Sequence, residues 1–130
     1  MFSSIDTKGI MPHRAYLVGL LLLMMCAPAL AVNDSADPEI QYLLETVGSS
    51  GCTFVRNGQK YTAQRAEDHL RMKYNKARKY IDDAEDFVEK IASKSSWTGK
   101  PYTIECPNKE AETSRSWLLT KLQDHRQNVH

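Results

Sequence analysis

The stretch "CTFVRNGQKYT", Cys52 to Thr62, constrains this chain more than any other. Asn57-Gly58 lies between two alternating runs. A two-residue type I′ turn needs positive φ at both central positions, which Asn and Gly accept most readily. Such a turn fixes the register. It sets Phe54 opposite Tyr61 and places Cys52, Phe54 and Arg56 on one face of the hairpin. Downstream, "KPYTIEC" reads as another strand, with Tyr102, Ile104 and Cys106 on one face and Thr103 and Glu105 on the other. A bond between Cys52 and Cys106 aligns the two apolar faces as the covered side of a small antiparallel sheet.

That bond depends on compartment, and the N-terminus speaks to it. Lys8 and Arg14 precede the apolar run "AYLVGLLLLMM", and "CAPALA" follows with Ala29 and Ala31 in an A-x-A pattern. This is the layout of a secretory signal peptide over residues 1–31, with Met11 as an alternative start. An uncleaved anchor fits less well, because the apolar core falls short of the roughly 20 residues of a spanning helix and Pro28 interrupts it. A lipid anchor on Cys26 fits less well too, with Met25 where a small residue belongs. The chain is therefore expected in the periplasm, with no stable membrane span after cleavage. Removing residues 1–31 takes away Asp6, Lys8 and Arg14 and brings the formal charge from +1 to zero. No block of five like charges occurs either, so nothing favours nucleic acid as a partner. Cys52 and Cys106 remain as an even count in an oxidising compartment and read as one disulfide. A zinc site is disfavoured by the absence of CxxC or paired-histidine spacing, and no metal or cofactor is expected.

Helical periodicity fills the rest. After a flexible tail at 32–37, "DPEIQYLLETVGSSG" offers Asp37 as a cap, Pro38 in the first turn and Gly48 as a terminator. Its buried face is Ile40, Leu43, Leu44 and Val47. A second helix, capped by Thr62, carries the stripe Ala63, Ala66, Leu70, Tyr74, Ala77 and Ile81, with Lys73 bordering it and His69 at its rim. "DDAEDFVEKIAS" is a shorter helix with Asp82 and Glu85 at capping-box spacing. "SRSWLLTKLQDHR" is amphipathic, led by Trp117, Leu118 and Leu122, with His125 and His130 at a solvated end. The fold class is α+β: one domain over 38–130, about four helices covering a three-stranded sheet, and one disulfide.

The elements RNG-x-x-Y (from Arg56) and SKSS-x-x-GKPY (from Ser93), with "SWLLTKL", resemble a family of short exported proteobacterial proteins of unknown function. The resemblance spans most of the mature chain. It implies a periplasmic address and a compact single domain, and it carries no catalytic or binding role.

The remaining question is "ASKSSWTGKPY", Ala92 to Tyr102. A turn between a helix and a strand calls for such residues on structural grounds alone, with serines satisfying loose backbone groups. The functional alternative is an anion site, in which hydroxyls, backbone N–H groups and lysine hold a phosphate or carboxylate. Convergence would decide between them: Arg56 at the hairpin tip, His69 and Lys73 on the second helix, and Ser95, Ser96 and Lys100 on the turn. A small serine hydrolase using Ser95 or Ser96 with His69 as base is the alternative. It lacks G-x-S-x-G, S-x-x-K and any carboxylate set to orient His69. Trp97 is a candidate partner contact, although general burial tendencies favour its folding back over the core. The function these readings favour is a periplasmic binding or interaction module for an anionic envelope ligand or an envelope protein.

Overall fold

The Asn57-Gly58 turn forms as its residues dictate. In the computed structural model, which describes residues 36–130, Asn57 has φ 50° and Gly58 φ 78°. Strand β1 (Thr53–Arg56) pairs with β2 (Gln59–Thr62) in the expected register, Phe54 opposite Tyr61. Residues 1–31, expected to be a signal peptide, and residues 32–35 of the expected tail lie outside the described residues.

The next strand, β3 (Thr103–Glu105), runs antiparallel to β1, with Thr53 opposite Glu105 and Phe54 opposite Ile104. Continuing that ladder by one residue sets Cys52 against Cys106, and these two form the disulfide with their Cα atoms 4.3 Å apart. The sheet has four strands rather than three. A two-residue strand β4 (Glu112–Thr113) pairs with β3, giving the order β2-β1-β3-β4. Both β4 residues are exposed, so no alternation marked them; the turn after Cys106 simply returns the chain to the edge of β3. Phe54, Tyr102 and Ile104 are buried on the covered face. The opposite face carries the exposed Lys60–Glu105 ion pair, 2.9 Å.

Four helices supply the cover. Helix α1 (Ala36–Ser49) buries Ile40, Leu43, Leu44 and Val47. It starts before Asp37, which is not its cap; the Asp37 carboxylate instead accepts from Tyr74 Oη and pairs with Arg78. Gly48 does not end this helix either. A Cβ there would meet the Glu67 side chain of the neighbouring helix α2 (Ala63–Ala77), so the glycine leaves room for that side chain. Thr62 caps α2 as expected, accepting from Arg65 N at 3.3 Å, and α2 buries Ala63, Ala66, Leu70 and Tyr74.

Helix α3 (Ala84–Phe87) continues as a π-helical segment, Val88–Ala92. Its box is one residue later than the spacing suggested. Asp83 accepts from Asp86 N at 2.7 Å, and Asp86 accepts from Asp82 N at 3.3 Å. Glu85 is thereby left for Arg126 of the last helix, α4 (Ser114–Asn128). Trp117, Leu118 and Leu122 of α4 are buried, and Trp117 meets Phe54 edge-on at 6.2 Å. His125 is not a free solvated end, since it stacks on Tyr42 at 3.8 Å. Among the described residues no helix is long and apolar enough to cross a membrane.

Candidate functional site

Sheet alternation puts Arg56, like Phe54, on the covered face, at the end where the hairpin turns. Helix α2 passes there with Arg65, His69, Lys73 and Lys76 at offsets of four, eight and eleven residues, a single line along one helix face. The guanidinium of Arg56 contacts the His69 ring, with Nη1 at 2.7 Å from Nε2 and 3.0 Å from Nδ1. Its Nη2 donates to Tyr61 Oη at 3.2 Å. For His69 to accept from a guanidinium its ring must be neutral. Burial, and after it the charges of Arg56 and Lys73, hold the His69 pKa below the usual histidine range.

Lys73 is half-buried, and its ammonium donates to Ile91 O at 2.6 Å, Lys94 O at 3.3 Å and Tyr102 Oη at 3.3 Å. Lys73 therefore caps the carbonyl end of the π-helical segment, where a cation also favours the helix dipole. Burial, then Arg56, lowers the Lys73 pKa. Burial also raises that of Tyr102, keeping its hydroxyl protonated.

The Ala92–Tyr102 stretch closes on itself. Ser95 N donates to Lys100 O at 3.0 Å, Gly99 N to Ser95 O at 2.9 Å and Tyr102 N to Ser93 O at 2.9 Å. Gly99, at φ 70°, turns the chain back. The serines serve this turn as its chemistry suggested: Ser93 Oγ donates to Val88 O, and Ser95 Oγ accepts from Trp97 N and Thr98 N. Asn57 locks the hairpin to the turn, donating through Nδ2 to Ser95 Oγ at 3.3 Å and accepting from Thr98 Oγ1 at 2.6 Å.

Between these elements lies an open recess of about 380 Å³. Arg56, His69, Lys73, Ser95, Ser96 and Trp97, all singled out from the sequence, line it. Lys100 does not; it stands exposed on the return limb beyond Gly99. Asn57, Met72, Lys76 and Tyr102 complete the walls and were missed, although Lys76 was findable as the residue seven beyond His69. No carboxylate lines the recess, and among the described residues neither Arg56 nor Lys73 has an ion-pair partner. Trp97 does not fold over the core. It sits at the tip of the closed turn and is 97% exposed. Ser95 does not pair with His69: its Oγ is held by Asn57 and the turn, and both His69 nitrogens face Arg56. Among the described residues no group of three His, Cys, Asp or Glu side chains is placed to hold a metal ion.

Fold and site together define a disulfide-bonded α+β domain with a cation-lined recess at the tip of its hairpin. The chain belongs to a family of unknown function, DUF5329, whose pattern matches residues 34–126. The resemblance drawn from the sequence is met at that level. It is also similar to the uncharacterised protein YfeK of Salmonella typhimurium, 41% identical over 85 residues, covering 64% of this chain and 71% of the relative. No solved structure matches.

Proposed function

We propose that this protein is an exported, periplasmic binding module whose recess takes an anionic envelope ligand. One observation carries the reading: Arg56 and Lys73, with Lys76 on the same helix face, meet at one recess that no carboxylate neutralises. Cations of one sign gathered without counter-charge repel, and an anion offsets that repulsion. Arg56 is the principal recognition group, because its planar fork matches carboxylate and phosphate oxygens. Lys73 contributes mainly charge, since its donors are turned to backbone carbonyls and Tyr102. The periplasmic address draws support from the signal-like residues 1–31 and from the Cys52–Cys106 bond, which persists in an oxidising compartment.

The test is a thermal-shift panel on the oxidised protein with phosphates, sugar acids, peptidoglycan fragments and lipid headgroups, repeated on Arg56→Gln. A ligand at 100 times its Kd stabilises by about 2.7 kcal/mol. A shift that Arg56→Gln abolishes supports the reading; no shift across the panel refutes it.

A second reading, contact with an envelope protein, draws on the exposure of Trp97 beside the half-exposed Met72. It expects Trp97→Ala to end association with that partner while leaving any anion-induced shift intact. If Trp97→Ala leaves association unchanged, the reading fails.

A further inference from the structure

A second cavity of about 200 Å³, about as open as the recess, adjoins it and shares Arg56, His69 and Tyr102 with it as a common wall. Its other lining residues differ. Phe54, Ala66, Leu70 and Ala92 give it an apolar lining, while Arg56 and Arg65 bring positive charge to it. Ser114 also lines it, and this residue is 2% exposed. Ser114 Oγ is the one buried side-chain polar atom among the described residues that has no hydrogen-bond partner. An orphaned buried hydroxyl is costly, and native structures keep few of them without a water, ion or ligand group to satisfy them. An apolar cavity with a few convergent polar groups is the ordinary form of a small-molecule site. For scale, about 150 Å³ of apolar cavity accepts benzene.

We infer that this cavity seats the apolar body of a small organic carboxylate, aryl or branched alkyl, with its carboxylate on Arg56 and a further hydrogen bond from Ser114 Oγ. The inference rests on the anion reading of the neighbouring recess and names its ligand class. A carboxylate offers two oxygens to these two donors and carries a single charge. The doubly charged phosphate would bring more charge than an apolar lining tolerates. The neutral ring of His69 leaves Arg56 its full charge, and Tyr61 Oη, accepting from Arg56 Nη2, fixes the guanidinium across the cavity mouth.

The experiment is an NMR titration of the full oxidised protein with benzoate, isovalerate, acetate, inorganic phosphate and benzyl alcohol, at constant ionic strength. Benzoate and isovalerate should bind about tenfold or more tighter than acetate, as expected from burying the added apolar surface. They should shift resonances of Ala66, Leu70 and Ser114. Arg56→Gln should abolish this binding. Ser114→Ala should weaken it several-fold while raising the Tm of the free protein, because it removes an unsatisfied hydroxyl. Ala66→Leu, which fills the cavity, should remove the preference for benzoate and leave acetate unchanged. If Ala66→Leu does not fold, the Ser114→Ala pair of readings decides alone. Equal binding of acetate, phosphate and benzoate through Arg56 overturns this inference and leaves the anion reading standing. Benzyl alcohol binding as well as benzoate overturns it too, as does an unchanged affinity in the Ser114→Ala protein, since the native Ser114 hydroxyl then takes no part in binding. Binding of none of these anions overturns this inference, and together with no shift across the thermal-shift panel it overturns the anion reading as well.

Discussion

Breaking the Cys52–Cys106 bond should remove a large part of the domain's stability. The two residues are 54 apart in sequence, and constraining a loop of that length in the unfolded chain stabilises the fold by about 4 kcal/mol on the chain-entropy argument. Small domains hold roughly 5–15 kcal/mol in total. The native ladder offers little redundancy, because β1 and β3 meet at only three residue pairs, Thr53–Glu105, Phe54–Ile104 and Val55–Thr103. For a domain near 100 residues, about 4 kcal/mol corresponds to a fall in Tm of roughly 15–30 °C. The assay is guanidinium unfolding of the oxidised protein beside a Cys52→Ser/Cys106→Ser variant, followed by far-UV circular dichroism. The variant should also show a larger m-value, since an uncrosslinked unfolded chain exposes more surface. A loss below about 1 kcal/mol with an unchanged m would refute the reasoning, for the bond would then not restrict the unfolded ensemble.

Stability should fall as pH drops below the ordinary histidine range. His69 has a depressed folded pKa, so the unfolded chain takes up protons first, and the slope with pH is positive there. Arg56 from β1, Tyr102 from the approach to β3 and Lys73 one turn along α2 face this ring, and His69→Asn should flatten the slope in acid titrations of Tm. Arg126 holds Glu39 at 2.8 Å and Glu85 at 2.5 Å, tying α4 to α1 and α3. A double-mutant cycle on Arg126→Ala and Glu39→Ala should return a coupling of about 0.5–1 kcal/mol, reduced in high salt because the arginine is partly exposed. Trp97→Ala should change stability by no more than about 0.5 kcal/mol, whereas Trp117→Ala should cost roughly 3–5 kcal/mol; chemical unfolding of each variant checks both.

Where local chemistry decides, the sequence was a good guide. The hairpin register, the disulfide partners, the Thr62 cap and the buried faces of α1 and α4 all follow from turn chemistry and spacing. So does the presence of Arg56, His69 and Lys73 at one recess, because strand alternation and helical spacing together set their directions. The α2 stripe holds through Tyr74, but the helix ends at Ala77, and Ala77 and Ile81 are only partly buried. Features that depend on how elements meet were not legible. Strand β4 is two exposed residues and has no pattern to read. Gly48 looked like a terminator but lies within α1, where it leaves room for the Glu67 side chain of α2. Lys73 has carbonyls to cap only because α3 ends in a π-helical segment. Trp97 followed the geometry of a closed turn rather than the average burial of tryptophan. Ser114 reads as an ordinary first-turn serine until the packing leaves its hydroxyl without a partner.

The most direct test of an anion site at Arg56 is the pKa of His69, followed through its ring C–H resonances in the oxidised protein. It should be titrated in chloride alone and then with benzoate or phosphate at the same ionic strength. An anion bound beside Arg56 and Lys73 favours the imidazolium. The account therefore expects a His69 pKa below the usual value in chloride that rises when the anion is added. A His69 pKa that neither anion changes would contradict it.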